Sequence, residues 1–272
     1  MRPFDLGPAL LFCPADRPDR YEKALARADA VILDLEDAVA PSAREAAREA
    51  LRQHPLDPAR VIVRVNAPGT DDQARDLVAV ADTGYAAVMV PKASTPAGIE
   101  AVIAVLPDAA VIALCETAAG VLAAPALAAH PAVAALMWGA EDLVASLGGT
   151  ASRHPDGRYR EVAVHARSSV LLAAGAYGKP AIDTVHTAIG DIPGLAAEAE
   201  DAAAVGFTAT ACIHPSQVDT IRTAYRPDPE QLEWAIAVLH GAEETGGVFR
   251  LGTQMIDEPL LRHARALLRR AR

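Results

Sequence analysis

A single (β/α)8 TIM barrel is the fold this sequence predicts, and three observations carry it. Eight short apolar segments rich in Val, Ile and Ala alternate with Ala-rich or polar stretches of helical periodicity. Most of these segments start about 20–30 residues apart, the length of one βα unit. Charged residues stand at the C-terminal end of almost every segment, the end at which such barrels carry their active sites. At 272 residues, 51% of them hydrophobic and only 4% aromatic, the chain can bury one large aliphatic core, and one barrel uses most of that length.

The predicted strands are residues 10–13, 30–35, 60–65, 86–91, 110–115, 133–138, 179–184 and 206–213. The longer gap between the sixth and seventh contains His154-Pro155-Asp156-Gly157-Arg158, whose Pro-Asp-Gly step marks a turn in a loop on the active-site side, suited to a lid. Beyond the eighth unit, residues 228–245 read as one helix, Gly246-Gly247 break it, and residues 248–256 read as extended. Pro259 then stands near the start of a final basic helix running to residue 272. The expected organisation is a barrel domain over residues 1–225 and a helical and extended tail over 226–272. The tail is long enough to reach a neighbouring subunit, so an oligomer is expected.

Bulk properties exclude several function classes. A formal charge of −10 with no clustered basic face argues against nucleic acid as partner. No apolar run approaches the roughly 18 residues of a membrane span, and the first five residues do not open a secretory signal, so a cytoplasmic protein is expected. Cys13, Cys115 and Cys212 sit inside apolar runs without metal or redox spacing and are expected to be buried and reduced. A polyanionic small ligand would need local cations, and Arg17, Arg20 and Lys23 after the first strand are the candidates.

The strand ends carry, in order, Pro14-Ala15-Asp16, Asp34-Leu35-Glu36-Asp37, Arg64-Val65-Asn66, Pro91-Lys92, Glu116-Thr117, Glu141-Asp142, Asp183 and His214-Pro215. Barrel interiors are filled by Val, Ile and Leu, so charges at these positions must be solvated or paired around a ligand. Glu116 and Asp142 stand out because each closes a short apolar run. Carboxylates with one Arg and few His form the ligand type expected for Mg²⁺ or Mn²⁺ rather than Zn²⁺. Taken singly, any of these carboxylates also reads as a helix N-cap or a structural ion pair.

Six ordered motifs then resemble one family. Val31-Ile32-Leu33-Asp34-Leu35-Glu36-Asp37-Ala38-Val39, Arg64-Val65-Asn66, Pro91-Lys92, the Glu116 strand, Gly139-Ala140-Glu141-Asp142-Leu143 and Ile213-His214-Pro215-Ser216-Gln217 together are similar to the citrate lyase β-subunit-like branch of the HpcH/HpaI aldolase family. The likeness runs from Phe12-Cys13-Pro14-Ala15-Asp16-Arg17 to Met255-Ile256-Asp257. It implies a (β/α)8 barrel, usually a homotrimer, that uses Mg²⁺ to make or break a carbon–carbon bond next to a thioester. Glu116 and Asp142 match the family's metal ligands, and Arg64 matches the arginine facing the thioester and carboxylate oxygens. Glu36 and Asp37 match acidic residues that hold metal-bound water and position Arg64. Asp257 is similar to a tail aspartate that acts as acid/base in a neighbour's active site, while Arg17, Lys23 and the loop around His214 match contacts to coenzyme A. Many relatives carry Gly-Lys just before Ile-His-Pro. Here the stretch is Ala209-Thr210-Ala211-Cys212, which puts that lysine's contact to coenzyme A in question but not the metal pair.

The expected activity is a stand-alone lyase acting on a 3-hydroxy-carboxyacyl-CoA of the citramalyl-, malyl- or hydroxymethylglutaryl-CoA type, giving acetyl-CoA and a 2-oxo acid by retro-Claisen cleavage. In that chemistry Arg64 can offer two parallel hydrogen bonds to the developing thioester enolate. The alternatives are a true citrate lyase β subunit working on a citryl thioester held by an acyl-carrier partner, a Mg²⁺-dependent aldolase of 4-hydroxy-2-oxo acids, and a non-catalytic subunit.

Overall fold

The structure of the protein is a computed structural model that describes residues 6–271. Residues 1–5, expected not to open a secretory signal, and Arg272, the expected end of the final helix, lie outside these. The chain parts into two compact units, the second beginning at Arg222.

In the first unit eight parallel strands close into a barrel in sequence order, β1 pairing with β8. The strands and their crossover helices alternate as β1 Ala9–Pro14, α1 Tyr21–Arg27, β2 Ala30–Asp34, α2 Arg44–Gln53, β3 Val61–Arg64 and α3 Asp71–Ala81. They continue with β4 Ala87–Val90, α4 Pro96–Val105, β5 Ala110–Cys115, α5 Ala118–Ala129 and β6 Val133–Trp138. Two helices follow β6, α6 Ala140–Ser146 and α7 Glu161–Ala176, before β7 Ala181–Asp183, α8 Ile192–Val205, β8 Ala209–Cys212 and α9 Val218–Tyr225. The predicted fold class is therefore the observed one.

β2, β3, β4, β7 and β8 are shorter than their apolar segments, and at β8 and β7 a helix terminus is the reason. Gly206 takes a left-handed conformation (φ 115°) to end α8, so the start of the segment at 206 belongs to a helix terminus. Lys179 likewise returns its N–H to the Ala174 carbonyl after Gly178 (φ 64°), closing α7.

Successive strand residues point to opposite faces, and the inward series is apolar up to its last rung. Leu10, Ile32, Ile62, Met89, Ile112, Leu114, Met137 and Ile182 are buried together inside the barrel. Two residues further along their strands, the same face presents Phe12, Asp34, Arg64, Glu116, Gly139 and Thr184, all lining one cavity at the C-terminal mouth. The strand period alone thus converts a packed core into a polar floor.

The second unit is built around α10 Pro229–Thr245, opened by a reciprocal cap between Asp228 and Gln231. Residues 248–256 are not one strand. Gly252 (φ 59°) folds them into a hairpin of β9 Phe249–Leu251 and β10 Gln254–Ile256. Helix α11 Glu258–Arg270 follows, and Ala235, Val238, Ile256, Leu261, Ala264 and Leu267 form this unit's own core. Among the described residues no helix is long and apolar enough to cross a membrane.

Candidate functional site

The cavity at the barrel mouth holds about 310 Å³ and is floored by Asp34, Arg64 and Glu116. Parallel pairing of β2 with β3 sets Asp34 beside Arg64. Arg64 Nε donates to Asp34 Oδ1 and Nη2 to Oδ2, both at 2.7 Å. The same carboxylate accepts from the backbone N–H groups of Glu36 and Ala38, each at 3.0 Å, so its acceptor positions are filled and the pair is rigid. The guanidinium also lies over the Phe12 ring, 4.9 Å from its centroid. Burial works against the charge on Arg64, but Asp34 and the nearby Glu36 and Glu116 raise its affinity for the proton above the ordinary arginine value.

Around this pair the carboxylates outnumber the cations. Glu36, buried, has Oε1 2.6 Å from Lys92 Nζ and Oε2 3.2 Å from Arg64 Nη1. The geometry of that second contact leaves Oε2 without a hydrogen bond, an orphaned buried acceptor. Asp37 is exposed, 3.9 Å from Arg64 Nη1 and 3.7 Å from Lys92 Nζ. Glu116 is buried, accepts the Lys92 backbone N–H at 3.0 Å, and has its carboxyl pushed up to about 8, first by burial and then by the negative charge of Asp142. Asp142 stands in the first turn of α6, 3.5 Å from Lys92 Nζ. Gly139 is required next to Glu116, because a Cβ there would fall 2.8 Å from Glu116 Cβ and 2.9 Å from its Oε2.

Glu116 and Asp142 can hold a divalent cation. Among the described residues no three His, Cys, Asp or Glu side chains converge into a closed cage. That suits Mg²⁺, which is held by one or two carboxylates and keeps waters or substrate oxygens in its other positions. The Glu116 carboxyl, raised first by burial and then by Asp142, and the orphaned oxygen of Glu36 form a donor set that a divalent cation would fit.

The other expected site residues lie elsewhere. Arg17 follows β1 and His214 follows β8, so they flank neighbouring strands on one side of the mouth, with Lys23 exposed on α1. Arg17 is half-exposed and pairs with Asp19 at 3.0 Å. His214 closes a local cap, with Nδ1 2.8 Å from Ser216 Oγ and its N–H donating to Gln217 Oε1 at 3.2 Å. Asp257 caps α11 in the second unit, accepting the Leu260 N–H at 3.3 Å. Asp183 is held by Arg167, whose Nη2 donates at 2.8 Å, and by Trp138 Nε1, which makes it a structural anion. The loop after α6 is pinned at its base. Arg153 stacks on Tyr159 at 3.8 Å and pairs with Glu198, and Tyr159 sits edge-on to Trp138 at 5.3 Å.

Two residues at the centre were not on the list of expected catalytic or metal-binding groups: Asp34, which orients Arg64, and Lys92, which bridges the carboxylates. Asp34 had a signal, since it is two residues beyond the inward-facing Ile32. Lys92 had one as well, as a charge at the C-terminal end of the fourth strand, but its reach across the carboxylates goes with a backbone φ of 51° that composition does not encode.

All three cysteines are free and buried; burial pushes the Cys13 thiol up to about 11 and that of Cys115 to about 12, so neither is a nucleophile.

Comparison with known proteins bears on the same architecture. The HpcH/HpaI aldolase/citrate lyase family matches residues 9–215, and a C–C bond lyase family of the TIM-barrel fold matches residues 160–272. The citrate lyase subunit beta-like protein of Mycobacterium tuberculosis is 56% identical over 265 residues, covering 97% of this chain and 96% of that one. A (3S)-malyl-CoA thioesterase of Cereibacter sphaeroides is 36% identical over 276 residues, covering 97% and 94%. The crystal structure of CitE from M. tuberculosis in complex with magnesium, acetoacetate and coenzyme A superposes with a TM-score of 0.90 at 55% identity, covering 97% of this chain and 98% of that one. The chain therefore belongs to the HpcH/HpaI aldolase/citrate lyase family and is a carbon–carbon lyase.

Proposed function

We propose that the protein cleaves, or in reverse forms, the C2–C3 bond of a 3-hydroxy-carboxyacyl-CoA, giving acetyl-CoA and a 2-oxo acid with the help of Mg²⁺. The observation that carries this reading is the pairing, in one cavity, of a carboxylate couple with room for a cation and a clamped arginine beside it. The solved relative that holds magnesium, acetoacetate and coenzyme A supports it, as do relatives holding magnesium with pyruvate or oxaloacetate.

The residues divide the work as follows. Glu116 and Asp142 would hold Mg²⁺, which when bound supplies Lewis-acid polarisation to the oxygens of the oxo-acid half. Arg64 keeps its Nε edge on Asp34, so its Nη1 end is what it offers to substrate, and negative charge developing on the thioester oxygen is stabilised there. That edge is fixed before substrate arrives, which removes reorganisation from the reaction step. A base takes the proton of the 3-hydroxyl, the C2–C3 electron pair moves to the thioester as an enolate, and a proton returned to C2 completes acetyl-CoA. Asp257, supplied by a neighbouring subunit of a homotrimer through the tail, is our choice for that acid/base. Glu36 and Asp37 keep the Nη1 end of Arg64 oriented. Arg17, Lys23 and His214, on the β8–β1 side, are our choice for contacts to the coenzyme A phosphates.

A thioesterase is the second reading, favoured by the malyl-CoA thioesterase relatives. It shares the substrate class and differs in the bond broken. A panel of malyl-, citramalyl- and hydroxymethylglutaryl-CoA incubated with Mg²⁺ separates the two: the lyase reading expects acetyl-CoA and an oxo acid in equal amounts, a 2-oxo acid from malyl- or citramalyl-CoA and acetoacetate from hydroxymethylglutaryl-CoA. Free coenzyme A with intact hydroxy acid would replace it by the thioesterase.

A further inference from the structure

Lys92 is the one non-glycine residue among the described residues with positive φ, at 51°. A side chain in that region is strained, and such strain persists where the surroundings impose it. Here the backbone N–H is drawn to Glu116 Oε1 at 3.0 Å, and the twist turns the side chain back over the mouth. Its Nζ then lies 2.6 Å from Glu36 Oε1, 3.5 Å from Asp142 Oδ1, 3.7 Å from Asp37 Oδ2 and 3.8 Å from Glu116 Oε1. Four carboxylates on three different segments share one ammonium. Only the Glu36 contact is a hydrogen bond; the other three lie at longer, purely electrostatic distances.

We propose that Lys92 is an internal counter-cation of the metal-free site, occupying with its ammonium the field that Glu116 and Asp142 create for a divalent ion, and that it withdraws toward Glu36 and Asp37 when the ion binds. This rests on the reading of Glu116 and Asp142 as the metal pair. The physical argument is one of charge. Without Lys92, Glu36, Glu116 and Asp142 would face Arg64 alone, whose Nε and Nη2 are already engaged by Asp34. Two cations cannot both sit within 4 Å of Glu116 and Asp142 without strong repulsion. A lysine suits the task better than an arginine, since a compact ammonium on a flexible stem can move aside while a planar fork tends to lock. The residue therefore holds the mouth open and folded between turnovers, at the cost of weaker metal affinity.

Isothermal titration of Mg²⁺ into the metal-free protein tests this without reference to activity. Lys92→Met keeps the stem and removes the charge. It should bind Mg²⁺ about tenfold more tightly than wild type or better, and its melting temperature in EDTA should fall below wild type and recover when Mg²⁺ is added. Lys92→Arg, which keeps the charge and loses the mobility, should bind the ion no more tightly than wild type. Wild type binding Mg²⁺ with Lys92→Met equal or weaker would overturn the counter-cation role alone. No binding by either protein would overturn the metal reading and this inference with it. Should Lys92→Met not fold, the wild-type chain still decides. It has three lysines, Lys23, Lys92 and Lys179, so ¹³Cε-lysine spectra have few signals. The Lys92 signal should shift on saturation with Mg²⁺, and an unmoved signal would contradict the withdrawal.

Discussion

Two buried arginines, Arg48 between α2 and α3 and Arg64 at the barrel mouth, show how differently the same chemistry can be finished. Arg48 donates through Nε to Asp76 at 2.7 Å, through Nη2 to Asp72 at 2.5 Å and through Nη1 to Glu45 at 3.1 Å, so every nitrogen of its fork has a carboxylate. The other oxygen of Asp76 accepts from the backbone N–H of Asn66 at 2.8 Å and from its side chain at 2.7 Å. Arg44 joins them through Asp72, giving two guanidiniums against three carboxylates. At the mouth Arg64 is clamped by Asp34 just as firmly, but Arg64 and Lys92 face Asp34, Glu36, Asp37, Glu116 and Asp142. One buried oxygen of Glu36 is left over and the Glu116 carboxyl is pushed up to about 8. A structural ion network closes on itself; this one is left short of positive charge and opens into a cavity.

A purely structural mouth would erase this difference between the two networks. Glu116→Gln should lower turnover at least about 10³-fold and abolish Mg²⁺ binding by calorimetry, because a ligand and its charge are both lost. Its melting temperature in EDTA should not fall, since a buried carboxylate short of partners is removed. Arg48→Met should do the reverse. Removing one partner of a buried network costs about 3–5 kcal/mol of stability, read by urea unfolding, with Mg²⁺ affinity unchanged. If Arg48→Met weakened metal binding as much as it weakened folding, the two networks would not be separable.

A smaller effect is expected at Arg64. Arg64→Lys keeps the charge but loses both bonds to Asp34, so kcat should fall about 10²-fold with metal affinity little changed. A kcat within about twofold of wild type would remove Arg64 from charge stabilisation. The smallest effect is the pH dependence. Burial and Asp142 raise the Glu116 carboxyl above its ordinary value, so below pH about 8 the metal-free site holds a proton that the ion must displace. Apparent Mg²⁺ affinity should rise about tenfold per pH unit up to about pH 8 and then level off. A flat profile between pH 6 and 8 would contradict the raised carboxyl.

Much of this was legible in the sequence because a parallel barrel reads out a period of two. Ile32 then Asp34, Ile62 then Arg64, and Leu114 then Glu116 are the same inward face crossing from core to mouth. What was hidden depends on register and backbone twist. Asp34 meets Arg64 because β2 and β3 pair in that register, and either residue alone reads equally well as a solvated strand end. Asp183 looks like Asp34 in sequence, yet Arg167 from α7 and Trp138 from β6 capture it. The hairpin at Gly252 looks like one extended run in the sequence because both arms are apolar enough to be strands and the turn needs only one glycine.

On the proposed reading, the Glu116 and Asp142 pair makes this mouth a metal-dependent carbon–carbon lyase site. Turnover of malyl- or citramalyl-CoA by the wild-type chain, measured as acetyl-CoA released first in EDTA and then after Mg²⁺ is restored, tests it most directly. The wild-type chain should release no acetyl-CoA in EDTA and recover release with Mg²⁺, while Glu116→Gln should release next to none in either condition; undiminished acetyl-CoA release by the wild type in EDTA would contradict the metal role.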